Sequence, residues 1–307
     1  MVARLNGLAV CAGLGGIELA LSRALPNYRT ICYIERSSYA AATLVARMET
    51  EALDLAPIAD DLEAFDGRPW RGLVDIVTAG LPCQPFSQAG KRGGLADERW
   101  LGDLFLECLR GLGRPKFVLV ENVRGFVRDG LPALAGGLSD LGYRMAWDLF
   151  RASDVGAPHR RERLFLLGHL ADAAGRGSKA SREPQGGKPN ALDRGDKVAD
   201  ADRGRREKQW QPQRERVASS LGRQFVGCHF DRRFQWPPGP DDADGWREWL
   251  DGGGPPPAIK PGVCGGANGL SNRVERLHAL GNAVVPAQCE LALAVLSHRL
   301  GLTWAES

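Results

Sequence analysis

The sequence predicts an α/β fold in which an open, mostly parallel sheet is covered by helices. Short apolar runs rich in β-branched residues recur along the chain, as expected of strands buried on both faces. Segments with helical periodicity separate several of these runs, which is the pattern of successive βα units. A glycine-rich turn follows the first run and an acidic residue ends the second, which is typical of a Rossmann-like sheet that binds a ligand at its carboxyl edge. Strands are predicted at 8–11, 31–34, 74–79, 117–120, 144–149 and 164–167, and helices after the glycine-rich turn, at 104–112 and at 287–300.

Composition places the chain among ordinary globular proteins. Of its 307 residues 43% are hydrophobic and 25% are charged, so a large core is available. No apolar run approaches the roughly 20 residues that span a bilayer, and the N-terminus lacks a signal-peptide layout, so we expect a cytoplasmic protein. Seven cysteines without a Cys-x-x-Cys pair indicate reduced thiols and predict no metal site. A net charge of +3 is too small to indicate nucleic-acid binding by itself.

The turn at 12–16 and Glu35 together suggest a cofactor site. Glycines let backbone N–H groups approach a ligand where a helix begins, although this turn is not a Gly-x-Gly-x-x-Gly fingerprint and a plain turn remains an alternative. Glu35 lies about twenty residues further on, where an acidic side chain conventionally binds the hydroxyl groups of a ribose. A solvated strand end is the other interpretation. The pair favours a cofactor that carries a nucleoside.

The stretch 80–90 (GLPCQPFSQAG) presents a cysteine where a predicted strand ends. Pro82 and Pro85 lack N–H groups and fix φ, so the chain between them continues neither as sheet nor as helix. Cys83 is therefore predicted to be exposed at the ligand-binding edge of the sheet, with Lys91 and Arg92 following closely. Thiolate nucleophiles occur in such electropositive, partly exposed settings, while a cysteine in an ordinary turn is the alternative.

A carboxylate and two arginines follow later strands. Glu121 comes directly after four apolar strand residues, so we expect it in the same crevice as Cys83, where desolvation raises a carboxyl pKa and keeps a proton available. Arg161 and Arg163 alternate before the strand at 164–167, so they point the same way and form one cationic wall. Clustered arginines that solvate a surface are the alternative.

Two later segments differ from the rest in composition. Glycines and basic residues between 87 and 100 predict a lid that touches phosphates, with a surface loop as the alternative. From residue 171 to about 216 the chain is rich in glycine and charged residues, with twelve Lys and Arg against eight Asp and Glu and almost no apolar periodicity. Aromatic residues mixed with arginines follow at 225–249, and a Gly-Pro linker lies at 252–257. A basic segment of this kind either follows a phosphate backbone or is a solvated linker.

These blocks, in this order, resemble the cytosine-C5 DNA methyltransferases of the bacterial and phage restriction-modification type. The resemblance covers roughly 5–168 and 272–298. Cys11 stands where the family usually has phenylalanine, and His159 replaces the glutamine of a Gln-x-Arg-x-Arg block whose arginines match. The matching blocks are 12–16, Glu35, 80–90, 121–123, Arg161 with Arg163, and 281–286.

The resemblance implies an S-adenosylmethionine-dependent methyltransferase sheet with an inserted, smaller target-recognition domain. It divides the chain into a catalytic and cofactor-binding domain at 1–169, a target-recognition insert at 170–271 and a C-terminal segment at 272–307 that returns to the first domain. The implied catalytic residues are Cys83, Glu121, Arg161 and Arg163, and the implied DNA contacts are Ser87, Gln88, Lys91 and Arg92. The implied contacts with S-adenosylmethionine are Ala12, Gly13, Leu14, Gly15, Gly16, Ile17, Glu35, Arg36, Asp61, Leu62, Gly80, Pro82, Leu104, Asn282 and Ala283.

The implied reaction is methyl transfer to C5 of a cytosine flipped out of double-stranded DNA, with a covalent bond between Cys83 and C6 as an intermediate. The implied partners are duplex DNA and a cognate restriction endonuclease encoded separately, and the implied state is a monomer. Alternatives are a tRNA cytosine-C5 methyltransferase on the same scaffold, an inactive DNA-binding relative and a Rossmann enzyme acting on small molecules. The intact Cys83, Glu121 and arginine pair disfavour the inactive relative, and the basic, aromatic insert disfavours the small-molecule enzyme.

Overall fold

A seven-stranded sheet forms the centre of the chain in a computed structural model that describes residues 4–82, 100–157, 159–170 and 281–304, with 244, 247 and 248. The strands lie in the order β3-β2-β1-β4-β5-β7-β6. The first five in that order are parallel, whereas β7 runs antiparallel to both of its neighbours. The strands are β1 (Leu5–Val10), β2 (Tyr28–Ile34), β3 (Ile58–Ala59), β4 (Ile76–Gly80), β5 (Phe117–Val123), β6 (Tyr143–Arg151) and β7 (Glu162–Leu170).

Helices cover both faces of this sheet. Alternate residues of β5 show the division, because Val118 and Val120 belong to the core beneath one pair of helices while Phe117 and Leu119 belong to the core beneath another. The first pair is α3 (Gly102–Gly111) and α4 (Phe126–Asp140), and the second is α1 (Gly16–Ala24) and α5 (Pro286–Leu300). A further helix, α2 (Ser38–Glu49), packs its Leu44 and Met48 against Tyr33 of β2. None of the helices in the described ranges is long and apolar enough to cross a membrane.

The α/β fold class and the six predicted strands are confirmed, and most strands are one to four residues longer than the apolar runs indicated. The predicted helices at 104–112 and 287–300 correspond to α3 and α5. Among the described elements, α2, α4, the two-residue strand β3 and the short 3-10 helices Arg68–Trp70 and Ala152–Val155 were not predicted. The predicted nucleophile at position 83, the lid at 87–100 apart from Trp100, and nearly all of the proposed insert lie outside the described residues.

The C-terminal helix α5 returns to the beginning of the chain and packs on α1. At Gly16, the first residue of α1, a Cβ atom would lie 2.8 Å from the carbonyl oxygen of Val284, which precedes α5. Further along, the Trp304 ring lies 4.6 Å from that of Phe117, and its Nε1 donates to Ser297 Oγ at 2.9 Å. The missing side chain at Gly16 is therefore what allows the two chain segments to approach this closely.

We expect Gly16→Ala to destabilise the folded chain by about 1–3 kcal/mol, because the new methyl group meets backbone that has no room to move aside. Gly136→Ala is the matched control, since this exposed glycine of α4 has open space around its Cβ position. That change should stabilise the protein by about 0.5–1 kcal/mol, because alanine loses less backbone entropy in a helix. Urea unfolding of both variants measures the difference, and equal stabilities would contradict the packing described for Gly16.

Candidate active site

A cavity of about 260 Å³ opens at the carboxyl edge of the parallel strands. Its wall comes from the residues that follow β1 and β2, from the ends of β4 and β5, and from the segment before α5. The volume lies just below the range of about 300–1,000 Å³ that is usual for small-molecule sites. The cofactor residues predicted from sequence that line it are Ala12, Gly13, Leu14, Gly16, Ile17, Glu35, Gly80, Pro82, Asn282 and Ala283.

The glycine-rich turn needs its glycines for conformation and for close packing. Gly13 and Gly15 have φ values of 56° and 73°, in the left-handed region that side chains disfavour. A Cβ atom at Gly15 would lie 2.5 Å from Leu53 Cδ1, so Gly15 supports the turn from beneath and does not line the cavity. The guanidinium of Arg47 on α2 donates to the carbonyl of Leu14 and holds the turn from its other side.

Glu35 connects this turn to α2. Its Oε2 accepts the backbone N–H of Gly13 at 2.7 Å, and its Oε1 accepts that of Ser37, the N-cap of α2, also at 2.7 Å. The carboxylate thus lies on the cavity wall, where the sequence predicted it, and also fixes the backbone around it. These backbone bonds could not be predicted from the position of Glu35 alone.

Four other predicted cofactor residues do not line the cavity formed by the described residues. Arg36 is exposed, and Asp61 accepts the backbone N–H of Glu63 at 3.0 Å. Leu62 is buried in the core and, with Leu104, borders a separate hollow against α3. Their contact with a cofactor stays a prediction.

Sequence reasoning missed several residues of the cavity wall. Ser37, Tyr39 and Ala40 come from the beginning of α2, a helix that was not predicted, although the serine is a strong N-cap signal. Four others were not named as site residues, although three lie within the matching blocks 80–90, 121–123 and 281–286 and the fourth directly precedes the block 12–16. These are Cys11, Leu81, Val123 and Val284.

Glu121, at the end of β5, is a buried carboxyl on the cavity wall. Only 6% of the residue is exposed, and its Oε1 lies 3.0 Å from Nε of Arg163 on β7. Burial raises the pKa of Glu121 from 4.5 to about 7, against the opposing effect of the positive charges on Arg163 and Arg161. A substantial fraction of this carboxyl is therefore protonated at neutral pH, as a general acid requires.

The residue after Glu121 fixes the chain that leads towards position 83. Asn122 is buried, and its Nδ2 donates to the carbonyl of Leu81 at 3.2 Å. Pro82 follows on the cavity wall. Cys83 itself lies outside the described residues, as do the predicted DNA contacts Ser87, Gln88, Lys91 and Arg92.

The two arginines reach the same backbone segment. Arg161 Nη2 donates to the carbonyl of Gly281 at 2.7 Å and to that of Ala283, while Arg163 Nη2 lies 3.5 Å from the Gly281 oxygen. Arg163 also lines the cavity, whereas His159 is exposed. The arginines thus form a common cationic group between Glu121 and the segment that carries Asn282 and Ala283.

Comparison with known proteins identifies the family. Residues 5–236 match the model of the C-5 cytosine-specific DNA methylases. The chain belongs to this family. Among curated relatives, it is 38% identical over 168 residues to the Type II methyltransferase M.PspPI of Psychrobacter sp. (strain TA137), covering 52% of this chain and 38% of the relative. It is 34% identical over 172 residues to the Type II methyltransferase M.NlaX of Neisseria lactamica, covering 52% and 50%. The matched region spans about half the length, or less, of these relatives.

Comparison with solved structures gives the Entamoeba histolytica methyltransferase EhMeth, at a TM-score of 0.47 and 18% identity over 55% of this chain and 54% of the other. A mutant of Spodoptera frugiperda DNMT2 gives a TM-score of 0.46 and 20% identity over 55% and 51%.

The raised pKa of Glu121 predicts a pH-dependent stability for this C-5 methylase. Because the folded state holds the proton more tightly than the unfolded chain, the carboxyl stabilises the fold below pH 4.5 and loses that contribution as the pH rises through about 7. Between pH 5 and 8, the free energy of unfolding of the wild type should fall by about 2–3 kcal/mol relative to that of Glu121→Gln. Urea unfolding across this range measures both slopes. Parallel slopes would show that Glu121 titrates normally.

Proposed function

We propose that this chain is a DNA cytosine-C5 methyltransferase that uses S-adenosylmethionine and a covalent bond between Cys83 and cytosine C6. The observation that carries the proposal is the buried Glu121–Arg163 pair on the cavity wall, in a chain of the C-5 cytosine-specific methylase family. A carboxyl with a pKa of about 7 beside a guanidinium suits proton donation to a ring nitrogen.

The residues around the cavity fit S-adenosylmethionine. The Gly13 position has open space beside it, so backbone faces the cavity without a side chain, and Glu35 lies where a ribose hydroxyl pair would be bound. Asn282 and Ala283 close the opposite wall. When bound, S-adenosylmethionine supplies an electrophilic methyl group on its sulfonium sulfur.

The protein's residues make cytosine C5 nucleophilic. The Cys83 thiolate adds to C6, and Glu121 gives its proton to N3, so that the ring gains an enamine-like C5 without a net negative charge. Arg163 donates to the exocyclic oxygen, and Arg161 orients this group. After C5 is methylated, the C5 proton leaves to water, the Cys83–C6 bond breaks and Glu121 regains the N3 proton. The product is 5-methylcytosine.

Within duplex DNA the target base must first leave the helix, at a cost of a few kcal/mol. We assign contacts with the DNA and its phosphates near the flipped base to Ser87, Gln88, Lys91 and Arg92. Recognition of the target sequence belongs to the insert at 170–271, between the catalytic domain at 1–169 and the returning segment at 272–307. We also propose that the enzyme is a monomer and that a separately encoded restriction endonuclease recognises the same target.

Duplex DNA carrying 5-fluorocytosine tests the covalent step. Fluorine cannot leave as a cation, so methylation should proceed and elimination should stall, which leaves DNA attached to Cys83. Because the target sequence is unknown, a randomised pool of fluorinated duplexes is incubated with S-adenosylmethionine, and adducts are resolved by denaturing electrophoresis and peptide mapping.

The control is Cys83→Ser, which should give no adduct because a serine hydroxyl has almost no anionic fraction at neutral pH. Attachment at any other cysteine would refute the role of Cys83. Adducts on fluorinated tRNA and none on DNA would reassign the substrate to RNA. No adduct with either nucleic acid would refute the covalent mechanism.

Replacement of Glu35 tests the cofactor site. Glu35→Ala should weaken S-adenosylmethionine binding at least tenfold, roughly the 1.4 kcal/mol of one good hydrogen bond, and leave DNA affinity nearly unchanged. Asp75→Ala is the matched control, because Asp75 Oδ2 accepts the backbone N–H of Asn6 at 2.8 Å and Asp75 does not line the cavity. Calorimetry with each variant decides the question, and an unchanged affinity in Glu35→Ala would remove Glu35 from the cofactor site.

A further inference from the structure

Gln288, in the first turn of α5, binds the backbone of two strands and does not line the cavity. It is fully buried, and its Nε2 donates to the carbonyl of Phe150 at 2.7 Å and to that of Arg161 at 3.0 Å. One amide group thus fixes the end of β6 and the residue immediately before β7 relative to the helix.

Arg161 returns this contact through its side chain. Its guanidinium donates to the carbonyls of Gly281 and Ala283, a few residues before Gln288 in the chain. The two residues therefore form a reciprocal clasp, in which Gln288 holds the backbone of Arg161 and Arg161 holds the backbone that leads to Gln288. The clasp closes on the segment 281–284, whose Asn282, Ala283 and Val284 line the cavity.

The clasp is also connected to Glu121 through Arg163. Arg163 lies two residues after Arg161, contacts the same Gly281 carbonyl at 3.5 Å and forms the ion pair with Glu121 at 3.0 Å. A shift of segment 281–284 would therefore change the surroundings of both guanidinium groups that face Glu121.

Two features of the clasp are unfavourable for stability. Arg161 has φ of 27°, outside the favoured regions for a residue with a side chain, so its backbone is strained. Gln288 Oε1 is buried without a hydrogen-bond partner among the described residues, so its desolvation is not offset by a hydrogen bond. An apolar residue in the same helix position would avoid the second penalty. Strain and an orphaned polar atom at one contact point to a role in positioning.

We propose that Gln288 is a positioning residue. It fixes the cofactor wall at 281–284 relative to the Glu121–Arg163 pair, so that a displacement of the wall also displaces the pair. The inference rests on the proposed function, because it assumes that S-adenosylmethionine occupies the cavity and that Glu121 is the acid. Loss of the Gln288 amide should then weaken cofactor binding and alter the acid together, although Gln288 contacts neither.

The test compares Gln288→Met, which keeps the length of the side chain and removes its N–H donors, with Ser297→Ala as the control. Ser297 is also fully buried on α5, and its Oγ accepts the Trp304 Nε1 hydrogen at the far end of the helix. Both variants lose one buried polar group of α5, so a purely structural role predicts similar consequences for the two.

Three measurements are made on the full chain. Calorimetry should show about tenfold weaker S-adenosylmethionine binding for Gln288→Met and wild-type binding for Ser297→Ala. Hydrogen exchange should be at least tenfold faster at the backbone amides of 281–285 in Gln288→Met alone. The alkaline limb of the pH profile of methyl transfer should move to higher pH in Gln288→Met alone, because Arg163 and Arg161 lower the pKa of Glu121 and their displacement removes that effect. The Cys289 thiol on α5 also faces Glu121, and neither substitution changes it.

Arg161→Met provides a second route if Gln288→Met folds poorly, because it opens the same clasp from the other side. The two substitutions together should weaken cofactor binding no more than either alone, since each breaks one half of the clasp and the clasp needs both halves to hold the segment 281–284. Additive losses of cofactor affinity in the double variant would overturn the inference. So would cofactor affinity, hydrogen exchange and a pH profile in Gln288→Met that match those of Ser297→Ala. If the wild type binds no S-adenosylmethionine, the proposed function fails. Hydrogen exchange at 281–285 then tests by itself whether Gln288 holds this segment in place, and unchanged exchange in Gln288→Met refutes that role.

Discussion

The ion pair between Glu121 and Arg163 is the constraint on which the cavity depends, and the reversal of one strand produces it. In the antiparallel ladder of β5 and β7, Glu121 is opposite Phe165 and Val123 is opposite Arg163. Arg163 is therefore the diagonal neighbour of Glu121 on the same face of the sheet, within reach of a long side chain. That face is the one covered by α1 and α5, and the pair lies on the cavity wall with the glycine-rich turn and the segment 282–284. A parallel β7 would place its residue 163 at the opposite edge.

Much of the fold could be predicted because its central strands are buried on both faces and consist of nearly continuous apolar residues. The elements that were missed are those in which local preference opposes the outcome. Helix α4 contains Gly130, Pro132, Gly136 and Gly137, all poor helix formers, and it forms because an apolar stripe including Leu131, Leu134 and Leu138 packs on the sheet. Helix α2 buries a narrow stripe of Ala40, Leu44 and Met48, which gives only a weak periodic signal.

The features of the site also divide into those that could be predicted from the sequence and those that could not. Side chains that follow strands, such as Glu35 and Glu121, could be predicted because the carboxyl ends of parallel strands meet at one edge. The positive φ of Arg161 and its bonds to Gly281 and Ala283 could not, because they join residues about 120 positions apart. Likewise, the sequence does not indicate that Glu35 binds the backbone of the glycine-rich turn at Gly13. Chemistry set by residue type and strand position is accessible to sequence reasoning, whereas chemistry set by long-range backbone contacts is not.

The sheet and these long-range contacts fix the described residues on either side of the stretch from 171 to 280. The stretch from 171 to 280 begins after Leu170, the last residue of β7, and ends before Gly281. Leu170 donates its backbone N–H to the carbonyl of Lys116 at the end of β7 that is far from Arg161, whereas Gly281 accepts a hydrogen bond from Arg161, so the sheet fixes each attachment point separately. Closing a longer loop costs little additional entropy, about 0.6 kcal/mol for each doubling of its length. A chain organised in this way can change the residues between 171 and 280 without changing the distance from Arg163 to Glu121.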